Sequence, residues 1–405
     1  MAFDTLLAEA ADLVPEAIRL RRTLHARPEI GLSLPATRET VCEAIDGLGL
    51  DITIHEHTSG IAAVLTGSRP GPTVLLRGDM DALPMPEQTG LDFASTNDGA
   101  MHACGHDTHV AMLVGAAKLL AARRNDLAGR VLFMFQPGEE GYHGARFMLE
   151  EGLLDLPPLP DGTASPVTSA FALHTTSSLP TGFVSTRAGS VMASSDKVLI
   201  RVIGAGGHAS EPHRVLDPIP VACEIVQALQ TMVTRRIDPF DPTVVTIARI
   251  TAGTTNNVIP DSAEIEGTIR AVSERTRAKV HEGIRRVAEG IAAAHEMGVE
   301  VHLDWGYPVT VNDGDVVQVS TGVAEELLGA PRVVRLPNPV MGAEDFSYVL
   351  QKVPGTMMFL GATPHHADLA SAAPNHSTKV FFDEECLGTG IALHTAFALR
   401  QLGLA

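Results

Sequence analysis

Three short apolar runs constrain this chain more than any other feature, because each ends in side chains that can hold a cation or move a proton. Thr73-Val74-Leu75-Leu76 runs into Arg77-Gly78-Asp79-Met80-Asp81. Val131-Leu132-Phe133-Met134-Phe135 runs into Gln136-Pro137-Gly138-Glu139-Glu140, and Ser169-Ala170-Phe171-Ala172-Leu173 into His174. Apolar runs of this length read as buried strands. In an α/β sheet, ligands gather where the strands end, so these side chains stand where a site would form. Each alone has an ordinary explanation: Asp79 as a turn or N-cap acid, Glu139-Glu140 as an exposed acidic turn, His174 as a surface histidine. The series weakens those explanations. Adjacent carboxylates at a strand end are costly unless solvated or bound to a cation, which gives one acid to metal ligation and the other to proton transfer. Asp79 reads as a carboxylate that orients a ligand from behind.

Met101-His102-Ala103-Cys104-Gly105-His106-Asp107-Thr108-His109 concentrates a thiol, an acid and three imidazoles ahead of an apolar helix over Val110–Ala122. Cys104 and His106, two apart around a glycine, can converge on one ion in a turning segment. Thiolate and neutral imidazole are the donors that zinc and similar metals favour. His109 supports from along the helix or faces solvent.

The remaining periodicity predicts a two-part chain. Helices fit the segment from Leu6 onward, ended by Pro28, and Pro35–Leu48. Arg19, Arg21 and Arg22 read as a solvated face, and His25 as structural. Strands fit Asp51–Ile54 and Ile61–Leu65. A composition shift near Arg187–Ser190 opens a second unit. Its order is strand Lys197–Ile203, helix Pro218–Val233, strands Val244–Ile250 and Ala263–Ile269, helix Arg277–His295 and strand Val299–Trp305. β-α-β-β-α-β is the order of a split βαβ, ferredoxin-like domain. The α/β pattern then resumes, with helices over Val316–Leu328, Glu344–Gln351 and Glu385–Leu402 and a strand over Thr356–Leu360. The expected architecture is therefore an α/β catalytic domain, 1–190 and 306–405, with a ferredoxin-like domain, 191–305, inserted.

Composition narrows the partners. At 405 residues and 45% hydrophobic, the chain has ample material for two cores. A formal net charge of -18 with no basic stripe argues against nucleic acid and anionic membranes. Four dispersed cysteines do not form a disulfide framework, and Met1–Glu16 lacks an apolar leader, so a reducing, cytoplasmic setting is expected.

Taken together, Arg77-Gly-Asp79-Met-Asp81, Met101-His-Ala-Cys104-Gly-His106-Asp107, Gln136-Pro-Gly-Glu139-Glu140, Leu173-His174, Gly206-Gly207-His208-Ala209 and Pro374-Asn375-His376-Ser377 resemble the M20 metallopeptidases. The branch is that of hippurate hydrolases, N-acyl-L-amino-acid amidohydrolases and auxin-conjugate hydrolases, and the resemblance spans essentially the whole chain. It implies a two-metal site held by Cys104, His106, Glu140, His174 and His376, with the Cys104 thiolate bridging. Zinc or manganese would fill it, or cobalt or nickel. Arg77 stands where most M20 branches carry a histidine, as this branch also shows. Glu139 matches the general base and acid, and Asp79 the supporting carboxylate. His208 matches a donor to the oxyanion, which in dimeric members comes from the other subunit.

The resemblance also matches Asn256 and Arg270, expected on the two middle strands of the smaller domain, to the substrate carboxylate. A structural ion pair for Arg270 stays open. Gly342-Ala343-Glu344-Asp345-Phe346 would line the pocket through its backbone, and His213 matches a motif position of unassigned role. The implied reaction is hydrolysis of N-acyl or N-aroyl amino acids by a metal-bound water, in a homodimer formed through the inserted domain. The competing readings are a dipeptidase or carboxypeptidase of the same family and a non-catalytic binding module. Glu139 argues against the module, which has no use for a base.

Overall fold

A computed structural model describes Phe3 and residues 5–404. Met1, Ala2 and Asp4, part of the segment read above for a leader, and Ala405 lie outside the described residues. The chain divides into two compact units: Met1–Gly189, Val311–Pro337 and Tyr348–Ala405 form one, and Ser190–Thr310 with Asn338–Ser347 the other.

The larger unit is built on an eight-stranded mixed sheet. Its order is Asp51–Ile54, Ile61–Thr66, Ala128–Gln136, Arg69–Asp79, Val167–Pro180, Gly355–Thr363, Val184–Thr186 and Val333–Arg335. The four central strands, from Ala128–Gln136 to Gly355–Thr363, run parallel. Buried on both faces, they read as continuous apolar runs, as parallel strands do. Their register sets Asp79 opposite Gln136 and Arg77 opposite Ala172, so the chemistry-bearing ends of three strands come level. Helices Leu6–His25, His106–Ala122 and Cys386–Gln401 pack together on this sheet and share one apolar core with it.

Several expectations need correction. Arg21 does not line a solvated face; it is 1% exposed and ion-paired to buried Asp107, while Arg19 is exposed. The apolar helix starts at His106 rather than Val110, because Gly105 in the left-handed region (φ 86°) turns the chain into its first residue. The strand holding His174 continues to Pro180, so His174 lies within it and not at its end. The helix expected over Glu344–Gln351 is only Ser347–Leu350.

In the smaller unit a four-stranded antiparallel sheet has the order Thr243–Ala252, Ser262–Ala271, Ser195–Ile203, Gly298–Tyr307. Helices Pro218–Arg236 and Glu274–Ala294 cover one face, the split βαβ arrangement. Alternation in Ser195–Ile203 sends Val198, Ile200 and Val202 into the core and leaves Lys197, Arg201 and Ile203 outside. Asp196 ties the elements together: it accepts from Arg277 Nε (2.9 Å) and Nη2 (2.5 Å), His281 Nε2 (2.8 Å) and the Gly306 amide (3.0 Å). No described helix is long and apolar enough to cross a membrane.

Candidate active site

Hydrogen-bond chemistry places a proton on Nδ1 of two histidines beside the central strands. His106 Nδ1 lies 2.8 Å from the Asp81 carbonyl, and a carbonyl can only accept, so Nδ1 carries the proton. His174 Nδ1 meets the Thr175 carbonyl at 2.8 Å with the same result. Each ring turns its Nε2 toward the other donors. His174 Nε2 is 3.4 Å and His376 Nε2 3.2 Å from Cys104 Sγ. Glu140 Oε1 lies 3.4 Å from His376 Nε2 and 3.9 Å from His106 Nε2. Ligand atoms fall into two groups that share one sulfur: Cys104, His106 and His174, and Cys104, Glu140 and His376. Glu139 joins His106 and Glu140 in a third.

These residues fit divalent metal. Buried His106 Nε2 and Glu140 Oε1 have no hydrogen-bond partner among the described residues, a costly arrangement unless a cation satisfies them. Burial works against ionisation of Cys104, but the neighbouring His174 imidazole holds its thiol well below the usual range. His376, beside the Cys104 sulfur and the Glu140 carboxylate, is pushed up to about 10. A thiolate paired with a proton-holding imidazole is a site in which a cation can take the proton's place.

Supporting residues surround the donors. Asp79 accepts from Arg77 Nη1 at 2.6 Å and His109 Nδ1 at 2.5 Å, and its Oδ2 is 3.3 Å from His106 Nε2. Burial opposes its charge, but Arg77, His106 and His109 hold it well below the ordinary carboxylate range. His109 is 1% exposed, which rules out solvent and leaves support. Its Nε2 accepts the Thr175 amide at 2.8 Å, so its proton sits on Nδ1, toward Asp79. Burial brings this imidazole down to about 4 and keeps it neutral. Behind the ligand helix, Asp107 accepts from Arg21 Nε (2.9 Å) and His25 Nδ1 (2.8 Å). His25 Nε2 faces Glu87 at 3.2 Å. Burial opposes its charge, yet Asp107 and Glu87 raise it to about 9. His376 has left-handed backbone (φ 68°), strained for a non-glycine residue. Its amide bonds to the Ala103 carbonyl, and the Asn375 side chain bridges the Ser177 amide and Thr175 carbonyl.

The structure thus brings together Cys104, His106, Glu139, Glu140, His174 and His376, with Asp79 beside them. His208, Asn256 and Arg270 belong to the smaller unit. His208 is exposed in the two-residue strand Gly207–His208, with Nδ1 2.7 Å from Ser210 Oγ. Asn256 is not on a strand: Thr243–Ala252 ends before Gly253 (φ 69°), and Asn256 follows in the turn before Val258. Arg270 lies on the middle strand Ser262–Ala271, half-buried, with no carboxylate at ion-pair distance among the described residues. The roles of Asp81, Arg21 and Asn375 were not read from sequence. Asp81 carried the one usable signal, an acid two residues beyond Asp79 in the same strand-end motif.

A thiolate, three imidazoles and adjacent carboxylates gathered beside parallel strands form the donor set of a metal-dependent hydrolase. Residues 75–400 match the sequence model of peptidase family M20/M25/M40. The chain belongs to this family. It is 39% identical over 390 residues to thermostable carboxypeptidase 1 of Saccharolobus solfataricus, covering 95% of this chain and 94% of that one. It is 38% identical over 312 residues to the N-acyl-L-amino acid amidohydrolase of Geobacillus stearothermophilus, covering 76% and 81%. The crystal structure of the Bacillus subtilis YXEP protein, a dinuclear metal binding peptidase from the M20 family, superposes with a TM-score of 0.82 at 34% identity, over 98% of this chain and all of that one.

Proposed function

We propose that this hydrolase cleaves the amide bond of N-acyl or N-aroyl amino acids, releasing a carboxylic acid and a free amino acid. The observation that carries the reading is the pairing of a buried carboxylate, Glu139, with five donors that share Cys104. The Geobacillus relative is named for this activity. Cys104, His106, Glu140, His174 and His376 would hold two divalent cations; when bound, these would supply Lewis acidity to the scissile carbonyl and to water at the site. Glu139 takes a proton as the water oxygen bonds to the carbonyl carbon, then delivers it to the leaving nitrogen as the C–N bond breaks. Asp79, held by Arg77 and His109, keeps its oxygen beside His106. His208 donates to the oxyanion, and Asn256 and Arg270 receive the substrate carboxylate, for which a guanidinium without an ion pair is suited. A homodimer formed through the smaller unit accompanies this assignment.

A second reading, carboxypeptidase or dipeptidase, is favoured by the name of the Saccharolobus relative. Hydrolysis assays on hippurate, N-acetyl amino acids, an indole-acetyl amino acid and two dipeptides, with metal stripped and restored, separate the two. Metal-dependent release from the N-acyl compounds with inert dipeptides is expected; cleavage of dipeptides alone would replace the first reading by the second. Glu139→Gln should retain metal and lose roughly 100-fold or more in rate. A variant keeping a tenth of the rate, on the order of ten times more than that loss allows, is incompatible with a general base at this position.

A further inference from the structure

Three non-glycine residues among those described have left-handed backbone, and such backbone needs a reason. Glu296 (φ 58°) follows the helix Glu274–Ala294, with its amide on the Ala293 carbonyl, at the kind of helix end where left-handed residues are common. His376 (φ 68°) brings its imidazole to Cys104. His143 (φ 60°) is the third, four residues after Glu139 in the acidic turn. Elsewhere this turn meets the same backbone demand with glycine, at Gly138 (φ 69°) and Gly141 (φ 90°). Glycine would serve position 143 as well, so the imidazole and not the backbone is what the position is for. The side chain does not cap the helix Gly144–Glu150 that follows. The turn has other ties: the Gly144 amide bonds to the Gly138 carbonyl at 3.0 Å, and Asp81 Oδ1 and Oδ2 accept the amides of Glu139 (2.9 Å) and Glu140 (3.0 Å). The imidazole meets Tyr348, whose hydroxyl lies 2.9 Å from Nδ1, with ring centroids 6.0 Å apart and planes inclined at 55°. Both side chains are half-buried and belong to the larger unit. Aromatic residues are scarce, 4% of the chain with three tyrosines, yet two of those tyrosines, Tyr142 and Tyr348, adjoin His143.

We propose that His143, braced by the Tyr348 hydroxyl, is a specificity-determining residue that contacts the acyl half of the substrate and favours aromatic acyl groups. The proposal rests on the amidohydrolase reading. In that reading Glu139 serves the scissile amide, and Asn256 and Arg270 take the amino-acid carboxylate. The acyl half then falls to side chains of the larger unit beside Glu139. A benzoyl or indole-acetyl group offers a flat face that packs on imidazole and phenol rings. An acetyl group has too little surface to use them. The bond from Tyr348 fixes the imidazole before substrate arrives, which lowers the ordering cost of the contact.

The test compares kcat/KM of the metal-loaded enzyme for hippurate and N-acetylglycine, which share glycine and differ only in the acyl group. His143→Gly suits the backbone, so its melting temperature should stay near the wild-type value. The ratio of kcat/KM for hippurate to that for N-acetylglycine should fall about 10-fold, the discrimination expected from one lost pocket contact. Tyr348→Phe keeps the ring and removes the hydroxyl; it should lower the ratio about 3-fold, as loss of one hydrogen bond would. Bound metal per chain should be unchanged in both variants. A ratio that stays or rises in His143→Gly overturns the proposal, and so does metal depletion with equal losses on both substrates, which would make His143 a support for Glu140. His143→Asn, which tolerates left-handed backbone and has no aromatic face, stands in should His143→Gly not fold. Failure of both to fold would make His143 structural only and end the proposal. A wild-type enzyme that cleaves dipeptides and neither N-acyl compound would sink the amidohydrolase reading and this proposal with it. Turnover of both compounds at an unchanged ratio ends the proposal alone.

Discussion

Gly105→Ala tests whether the geometry between Cys104 and His106 is as tightly determined as the structure indicates. Gly105 has φ 86°, and a Cβ built on it would lie 2.3 Å from Thr175 Oγ1 and 3.2 Å from the Phe382 ring. Thr175 cannot yield easily. It is fully buried, its Oγ1 is 2.9 Å from His109 Nε2 and 3.1 Å from Thr108 Oγ1, and its amide bonds to His109. The left-handed backbone costs an L-residue about 1–2 kcal/mol. Forcing a methyl into a packed interior costs about 1–3 kcal/mol more. The expected loss is therefore about 2–5 kcal/mol. Gly47→Ala supplies the control: φ is 73°, with nothing within 4 Å of the added Cβ, so only the backbone cost applies. Urea unfolding of the metal-stripped proteins should set Gly105→Ala well below Gly47→Ala, and elemental analysis should find metal depleted only in the former. Equal losses in the two variants would refute the steric argument, because they would leave backbone strain as the whole effect.

Cys104→Ala removes the atom shared by both donor groups, so bound metal per chain should fall; an unchanged ratio by elemental analysis would take Cys104 out of the ligand set. His394 gives a pH prediction. It is fully buried, neither ring nitrogen has a hydrogen-bond partner among the described residues, and burial pushes it down to about 3. A folded value below the unfolded one leaves stability intact above about pH 6.5 and erodes it by roughly 1.4 kcal/mol per pH unit as the pH falls from there toward 3. Melting temperatures of His394→Leu should fall less steeply than wild type across that window; parallel curves would show that His394 does not couple protons to folding.

Legibility followed the range of the interactions. Strands Val131–Phe135 and Thr73–Leu76 were readable because burial on both faces writes itself as an unbroken apolar run. The smaller unit's β-α-β-β-α-β order was readable because each element carries its own periodicity. The first-turn position of His106 was missed, since it depends on a left-handed glycine rather than an apolar period. Arg21 was misread as solvated because its partner, Asp107, is 86 residues away. Asn256 was misplaced: it lies past the strand expected over Val244–Ile250, in the turn that follows Gly253.

By itself, the sequence determined the candidate donor types, the apolar strands that run beside them and the two-part α/β architecture, because local pattern and residue chemistry suffice for these. Only the tertiary structure decided which nitrogen of each imidazole faces the other donors and that Cys104 belongs to both donor groups. It alone revealed that Asp81 grips the acidic turn through both oxygens. Those facts depend on the register of parallel strands joined by long crossovers. That register is fixed by packing across the whole core and not by any one segment.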